Sequence, residues 1–442
     1  MTSVAQSEAS SGELPDDPTD ECSACPEEAP YCEAGHCVAC SPALEATACD
    51  ETAPRCHASW DRCVECLVDE DCPADAFCSD RYTCTAGCVE HAQCPRSACN
   101  LARGICMDDA PLVYASPCDG EGTGSEDDPF CSIAAAIAAL REQVSDDAPY
   151  GTLVVDAFGK GSEQTISFSD QEIVIDGGLE LAIIGRVHTV FAQGTTGLTV
   201  TSGASAFLGR LMFVEMDGTA IHCTDGARVW ADDLRLSRNA RAIVGENCPL
   251  LSLRRSHLEF QRGNTIELRD GSQMMMAASI VGCNGSELDP TRALLVDDGS
   301  TFAVNFSTIA RNRSAASRGG MVTAANIECH GESGGVVRNS VVLTATLGAE
   351  SIACPTMTMT HSATDAPSFI SGTVVDPGSW DPSWFVSTTS VCNLRIADFG
   401  ASPFADLAVW QLGDPRYDVD GESSGAPVPG APAFAGADQP TP

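Results

Sequence analysis

The sequence predicts an all-β fold, a right-handed parallel β-helix solenoid preceded by a small disulfide-rich repeat region. Three observations predict it. Sixteen of the 24 cysteines crowd between Cys22 and Cys106. After Asp109 the composition changes to short apolar runs broken by Gly, Asn and Asp. Those runs recur about every 22 or 23 residues between Leu198 and Ile280, as expected of stacked coils that cannot bury their inner faces alone.

The chain of 442 residues is 43% hydrophobic with Gly 39 and Pro 25, enough for two or three domains and a sizeable core. So many cysteines point to an oxidising compartment, extracellular or at the cell surface. Residues 1–21 read as a polar, disordered segment with no basic n-region and no apolar h-region. Export therefore implies a trimmed leader or lipoprotein signal, or a misplaced start. No run reaches the roughly 18 apolar residues of a membrane span. The net charge of -38 excludes nucleic acid and anionic membrane as partners, because both would repel the chain. Lys160 is the single lysine.

Residues 22–109 form the cysteine-rich repeat region. Its cysteines fall into four groups of four: Cys22, Cys25, Cys32, Cys37; Cys40, Cys49, Cys56, Cys63; Cys66, Cys72, Cys78, Cys84; and Cys88, Cys94, Cys99, Cys106. The joint GHCVAC recurs as DRCVEC and loosely as YTCTAGC. Units this small depend on cross-links, each worth about 2 to 4 kcal/mol, and four cysteines allow three connectivities. The CxxC pairs also suit zinc, but Cys49 and Cys56 interrupt them and the later units lack a second CxxC. Asp69, Glu70 and Asp71 lack the alternating spacing of a calcium loop and read as turn residues. The third unit, CLVDEDCPADAFCSDRYTC, resembles the short cysteine-rich repeats of secreted myxobacterial-type proteins.

The β-helix is expected over 112–438, with a capping helix near 131–144 and a tail at 439–442. In the helix Ile133, Ile137, Leu140 and Val144 share one face and Ser132 is placed to cap the N-terminus. Leu198, Ile221, Ile243 and Ile266 form one apolar ladder; Phe207, Val229, Leu251 and Met274 a second; Leu211, Leu234, His257 and Ile280 a third. Three ladders at one period mean three short strands per coil. Ser256, Ser279, Ser307 and Ser340 mark a turn-side column with lengthening steps, and the extra residues, ELDPTR and SAASRGG, should bulge as loops. Cys118 and Cys131 are placed to bridge the opening loop. Cys223 with Cys248, and Cys329 with Cys354, are 25 apart, placing each pair on neighbouring coils. Cys283 and Cys392 are either a long-range pair or two buried thiols.

The opening SPCDGEGTGSEDDPFCSI, through Gly122, Gly124, Pro129, Phe130 and Ile133, resembles the start of bacterial right-handed β-helix domains of the pectate lyase-like kind. The end resembles their terminal pattern at Ser402, Pro403, Asp418, Asp420, Gly421, Gly436, Ala437 and Asp438, departing from it at Gln439. The resemblance implies the fold and a closing of the last coil. Enzymes of this kind need paired carboxylates with a His and a basic residue. Asp232 and Asp233 supply a D-D pair, but no G-H-G, N-T-D or R-I-K follows.

Eight of the 24 basic residues lie between Arg228 and Arg269. One reading is an anionic glycan groove of Arg235, Arg238, Arg254, Arg255 and Arg262; the other is ion pairing between stacked coils, Arg210 with Asp233 and Asp232 with Arg255, which the alternating signs favour. His257 reads as a core histidine. Asn284, Asn305 and Asn312 begin N-x-S sequons of the kind chance provides, and Trp380, Trp384 and Trp410 read as cap packing. The chain is expected to be an exported, non-catalytic scaffold or recognition protein, a monomer binding a polysaccharide or a cell-surface protein, with no catalytic residue, metal or cofactor. The alternative is a carbohydrate-active enzyme, a lyase or a hydrolase.

Overall fold

The coils are built from β-branched and other apolar residues alternating with polar ones, so each short strand buries one face and stacks edge to edge on the next coil. The computed structural model describes residues 29–439 except 34–35, 42, 58–61, 68–70, 74–75, 80–81, 89–90, 95–97, 102, 108–109, 146, 156–165, 170–171, 286–290, 314–324, 345–349, 379, 388–391, 399–401, 412–413, 416 and 423–429. The segment 1–21, Cys22, Cys25, Asp69, Glu70, Lys160, the SAASRGG loop and most of the ELDPTR loop lie outside the described residues.

Two compact units divide between Leu67 and Val68. In the first, the antiparallel hairpin Arg55–His57 with Arg62–Val64 is held by Cys40–Cys56 and Cys49–Cys63. The second unit holds the cysteines from Cys72 onward together with the helix. There Cys72 bonds Cys84, Cys88 bonds Cys99 and Cys94 bonds Cys106, and Cys78 is in a disulfide, as is Cys66 of the first unit. Wherever a pair is resolved, a group joins its first cysteine to its third or its second to its fourth. Those sulfurs are consumed and cannot serve zinc.

Every strand of the solenoid is parallel to its counterparts one coil away. Sheet A runs through Arg228–Asp232, Leu250–Arg254, Gln273–Ala277 and Thr301–Asn305. Sheet B runs through Arg235–Ser237, His257–Glu259, Ile280–Gly282 and Thr308–Ala310. Sheet C runs through Arg241–Glu246, Ile266–Arg269, Leu294–Val296 and Ile327–Cys329. The Leu198 ladder is as expected and continues through Leu294, Ile327 and Ile352. The other two ladders are each out by one residue at one point. Val229 pairs with Ala206, and Phe207 faces outward beside Trp230. The inner column of sheet B is Phe213, Leu236, Leu258 and Val281, so His257 points outward. A one-residue slip in a strand reverses the face of every side chain.

The corners follow one rule. Each begins with a residue in the left-handed region: Arg210, Asp233, Arg255, Ala278, Phe306 and Asn339 from sheet A to B, and Gln193, Glu215, Arg238, Phe260 and Cys283 from B to C, with φ between 42° and 60°. The next residue turns inward; it is apolar at Leu211, Leu234 and Met216, and from Ser256 and Asn239 onward its side chain bonds across coils. Ser256, Ser279, Ser307 and Ser340 each donate Nα–H to the Oγ of the serine one coil on, at 3.1 to 3.3 Å, ending at Ser362. Each of these hydroxyls from Ser256 onward also donates to the carbonyl two residues back. At the B–C corner Asn239, Gln261 and Asn284 form the same ladder, each N–H bonding the side-chain oxygen of the next, on to Asn312. Their amide NH₂ groups donate to Phe213, Leu236 and Leu258 carbonyls. Asn284 and Asn312 are fully buried here, so neither sequon is open to a glycosyltransferase.

Both ends and two flanks are covered. The helix Ile133–Gln143 buries Ile133, Ala136, Ile137 and Leu140 over the first coil and is capped by Ser132, whose Oγ accepts from Ala135 N–H at 3.5 Å. Gly151 lies under it, where a Cβ would come within 2.9 Å of Leu140. Ala366, Phe369 and Val374 close the far end. The fourth cysteine group seats Ala98 and Met107 on the outer face of sheet A, against Ala182, Ile184 and Phe207, which is why Phe207 is apolar yet faces out. The C-terminal segment does not close the last coil as its resemblance implies. It runs back along the outer face of sheet B, where Phe385, Leu394, Phe404 and Trp410 pack on Ile280, Phe306 and Val341, with Trp380 and Trp384 at the margin. Asp414 anchors it, accepting from Asn305 at 2.7 Å and from both Arg338 nitrogens.

Disulfides join Cys118 to Cys131, Cys223 to Cys248, and Cys329 to Cys354. Cys283 bonds Cys392 across 109 residues, a closure worth about 4 to 5 kcal/mol by chain entropy. Replacing Asn284 with Leu leaves the Gln261 N–H without its acceptor in the core, at a cost of about 1–3 kcal/mol. Denaturant melts should show that loss, whereas Met275→Ser, at a side chain 51% exposed, should change stability by less than about 0.5 kcal/mol.

Candidate functional site

Left-handed corner residues have side chains that point out of the coil, and stacking places them in columns about 4.8 Å apart. Two corners carry charged columns of this kind, and the five arginines of the expected glycan groove divide between them. Arg238 and Arg262 line an open groove of about 1000 Å³ at the B–C corner, with Glu172, Gln193, Gly194, Thr195, Thr196, Glu215, Asp217 and Phe260. Arg235 and Arg255 line a smaller crevice of about 350 Å³ at the A–B corner, with His91, Gly209, Arg210, Asp232, Asp233, His257 and Val419–Gly421. Arg254 is near enough for its charge to act on His91 and Asp232.

In the open groove the charges are paired and exposed. Arg238 lies 3.6 Å from Glu215, with side chains 65% and 50% exposed. Arg262 lies 3.2 Å from Asp217 and donates to the Met216 carbonyl at 2.8 Å. Pairs of this exposure are worth roughly 0–1 kcal/mol. A ligand that offers equivalent hydrogen bonds can exchange for them at little cost.

In the crevice the Asp232–Arg255 pair is buried and bidentate, Nε bonding one carboxylate oxygen at 2.8 Å and Nη2 the other. Burial raises the Asp232 pKa, but the Arg255 bonds and the Arg255 and Arg254 charges outweigh it, and the carboxyl stays below the ordinary range. His91 reaches in from the fourth cysteine group. Its Nδ1 accepts the Cys99 N–H at 3.2 Å, and its ring lies against Gly209, where a Cβ would come within 2.8 Å of Cδ2. Burial lowers the His91 pKa to about 4. His257 is lowered to about 4 as well, by burial and then by the Arg395 and Arg235 charges. His257 is therefore a wall residue of this crevice and not a core histidine; its apolar neighbour Leu258 takes the inner position.

The residues of the terminal pattern form a carboxylate knot beside the crevice. Asp418, Asp420 and Asp438 bring oxygens within 4.8 Å of one another. Asp418 accepts N–H bonds from Asp420 and Glu422, both at 2.9 Å, Asp438 accepts from Ile396 at 2.6 Å, and Arg395 clamps Asp420 bidentately. Three carboxylates here share one bonded guanidinium and a set of backbone N–H donors. Gln439, where the chain departs from the pattern, donates to the Phe434 and Gly436 carbonyls at 2.9 and 3.1 Å. A glutamate there could make neither bond and would add a fourth acid.

The fold and its corners define a class: a disulfide-rich, all-β parallel β-helix protein with outward charged columns. Residues 7–112 match the model of a family described as being of unknown function, DUF8331. That match ends where the first strand of the helix, Leu112–Ala115, begins. No curated protein and no solved structure matches the chain. No helix among the described residues is long and apolar enough to cross a membrane.

The histidines predict acid sensitivity. With folded pKa values of about 4 against an ordinary 6.5, each binds more protons when unfolded, so each contributes stability above pH 6.5 that is lost as pH falls towards 4. Asp438, raised to about 6 chiefly by burial, acts the other way, its contribution being lost as pH rises through 6. The wild-type melting temperature should fall from pH 6.5 to 4 by more than that of His257→Gln; equal falls would show that His257 is not buried neutral.

Proposed function

We propose that this is an exported recognition protein, without catalytic activity, that binds a glycan along the B–C corner of a rigid helix. The observation that carries the reading is the column of Gln193, Glu215, Arg238 and Phe260 at successive corners. Planar carboxylate, amide and guanidinium groups hydrogen-bond sugar hydroxyls in pairs, and an aromatic face packs on the ring. Their coil-by-coil repeat, about 4.8 Å, resembles the rise per sugar of an extended polysaccharide. Three acids against two arginines in the groove favour a neutral chain over an anionic one. That revises the anionic ligand expected from the arginines alone.

Export is supported by the cysteines, none of which is free among the described residues. Attachment as a lipoprotein or through the N-terminal region, a monomeric state, and kinship with pectate lyase-like helices and myxobacterial-type cysteine repeats belong to the same reading. A cell-surface protein is the other partner this surface suits.

One observation favours the enzyme alternative, because Glu172, Glu215 and Asp217 converge on a single groove as glycoside hydrolysis requires. Against it, two of the three face arginines.

The test is a screen of the oxidised protein on neutral and acidic polysaccharides, recording retention and the release of reducing or unsaturated ends. Retention without release is expected. Arg238→Ala should weaken it about tenfold, the equivalent of one hydrogen bond of about 1.4 kcal/mol, with the melting temperature unchanged. Release of ends would establish the enzyme reading, and retention unaltered in Arg238→Ala would move the binding site elsewhere.

A further inference from the structure

The A–B crevice gathers donors that have no acceptors. The His91 Nε2 and Arg235 Nε atoms are shielded from solvent and have no hydrogen-bond partner. Because His91 Nδ1 accepts the Cys99 N–H, the neutral ring carries its hydrogen on Nε2 and is a donor there. A buried donor left unmade is costly, and native structures seldom keep one without a reason.

The charge points the same way. Three acids line the crevice: Asp232 is held by Arg255 and Asp420 by Arg395, and Asp233 is engaged as well. Arg210 and Arg235 line the same cavity, and neither has an ion-pair partner among the described residues. In a chain of net charge -38, two of the three arginines lining the crevice thus stand outside ion pairs, beside a neutral N–H donor.

We propose that the crevice binds a tetrahedral oxyanion, sulfate or phosphate, with Arg210 and Arg235 supplying charge and His91 Nε2–H the buried hydrogen bond. An acceptor-only ligand with several oxygens suits a set made of donors, and guanidinium pairs with such oxygens bidentately. The cavity, about 350 Å³, has room beyond the anion itself, which fits an ester more fully than the free ion. The crevice lies between the helix wall, the fourth cysteine group and the segment at Val419–Gly421, so the anion also ties these three together. The inference is independent of the glycan groove at the other corner.

The experiment is calorimetric titration of the full oxidised chain with inorganic sulfate, inorganic phosphate and a monosaccharide sulfate, at fixed ionic strength in chloride. Melting curves are recorded in parallel. Saturable binding is expected, weakened at least tenfold by Arg235→Gln and by Arg210→Gln, with a rise in melting temperature that both variants lose. Arg210→Gln, at the corner, keeps the test open should Arg235→Gln fail to fold. Tighter binding of the sugar ester than of the inorganic ions would identify an esterified ligand, and equal binding a free anion. No titratable binding, or a melting rise equal in wild type and variants, would reduce the effect to solute exclusion and overturn the proposal.

Discussion

The structure depends on how each coil hydrogen-bonds its corners. A parallel helix must turn its backbone three times per coil, and each turn interrupts the strand ladder and leaves N–H groups facing a dry core. Here one left-handed residue makes the turn, and from Ser256 and Asn239 onward the next sends a serine, asparagine or glutamine side chain inward to accept the stranded N–H of the coil before. The serine ladder absorbs coil lengths of 23, 28, 33 and 22 residues without losing register. Register is therefore held at the corners, while the sheets supply area.

Function is expected at the same places for the same reason. A left-handed residue other than glycine costs about 1–2 kcal/mol, and this chain accepts that cost at Arg210, Glu215, Asp233, Arg238 and Arg255. The turn makes each of these side chains outward-facing, and stacking turns them into columns. The two outer layers then decide what each column becomes. At the A–B corner, the fourth cysteine group and the C-terminal segment close over the column and leave a small crevice with depressed histidines. At the B–C corner the column stays open.

Much of this was legible in the sequence, and the failures have a common cause. The Leu198 ladder and the serine column read correctly because their residues do one job in every coil. The two other ladders slipped at Phe207 and His257 because a coil of 22 or 23 residues lets a neighbouring column fit the period equally well. Phe207 is apolar on account of Met107 and Ala98, which cover it from a distant part of the chain. The Asp232–Arg255 pair followed from a spacing of one coil. The crevice did not, because His91 and Val419–Gly421 come from segments with no repeat to place them. The division of the arginines between two corners was hidden for a related reason: both corners recur at the same period.

The central claim is that inward side chains at the corners, and not the strands alone, satisfy the backbone and hold the coils in register. Amide hydrogen exchange of the native protein tests it most directly, residue by residue at Met216, Asn239, Gln261, Ser256 and Ser279, whose N–H groups bond to side-chain oxygens one coil away. The account predicts protection as strong as that of the sheet residues Leu236, Leu258 and Val281. Exchange at the corners as fast as in exposed turns, with the sheets still protected, would contradict it.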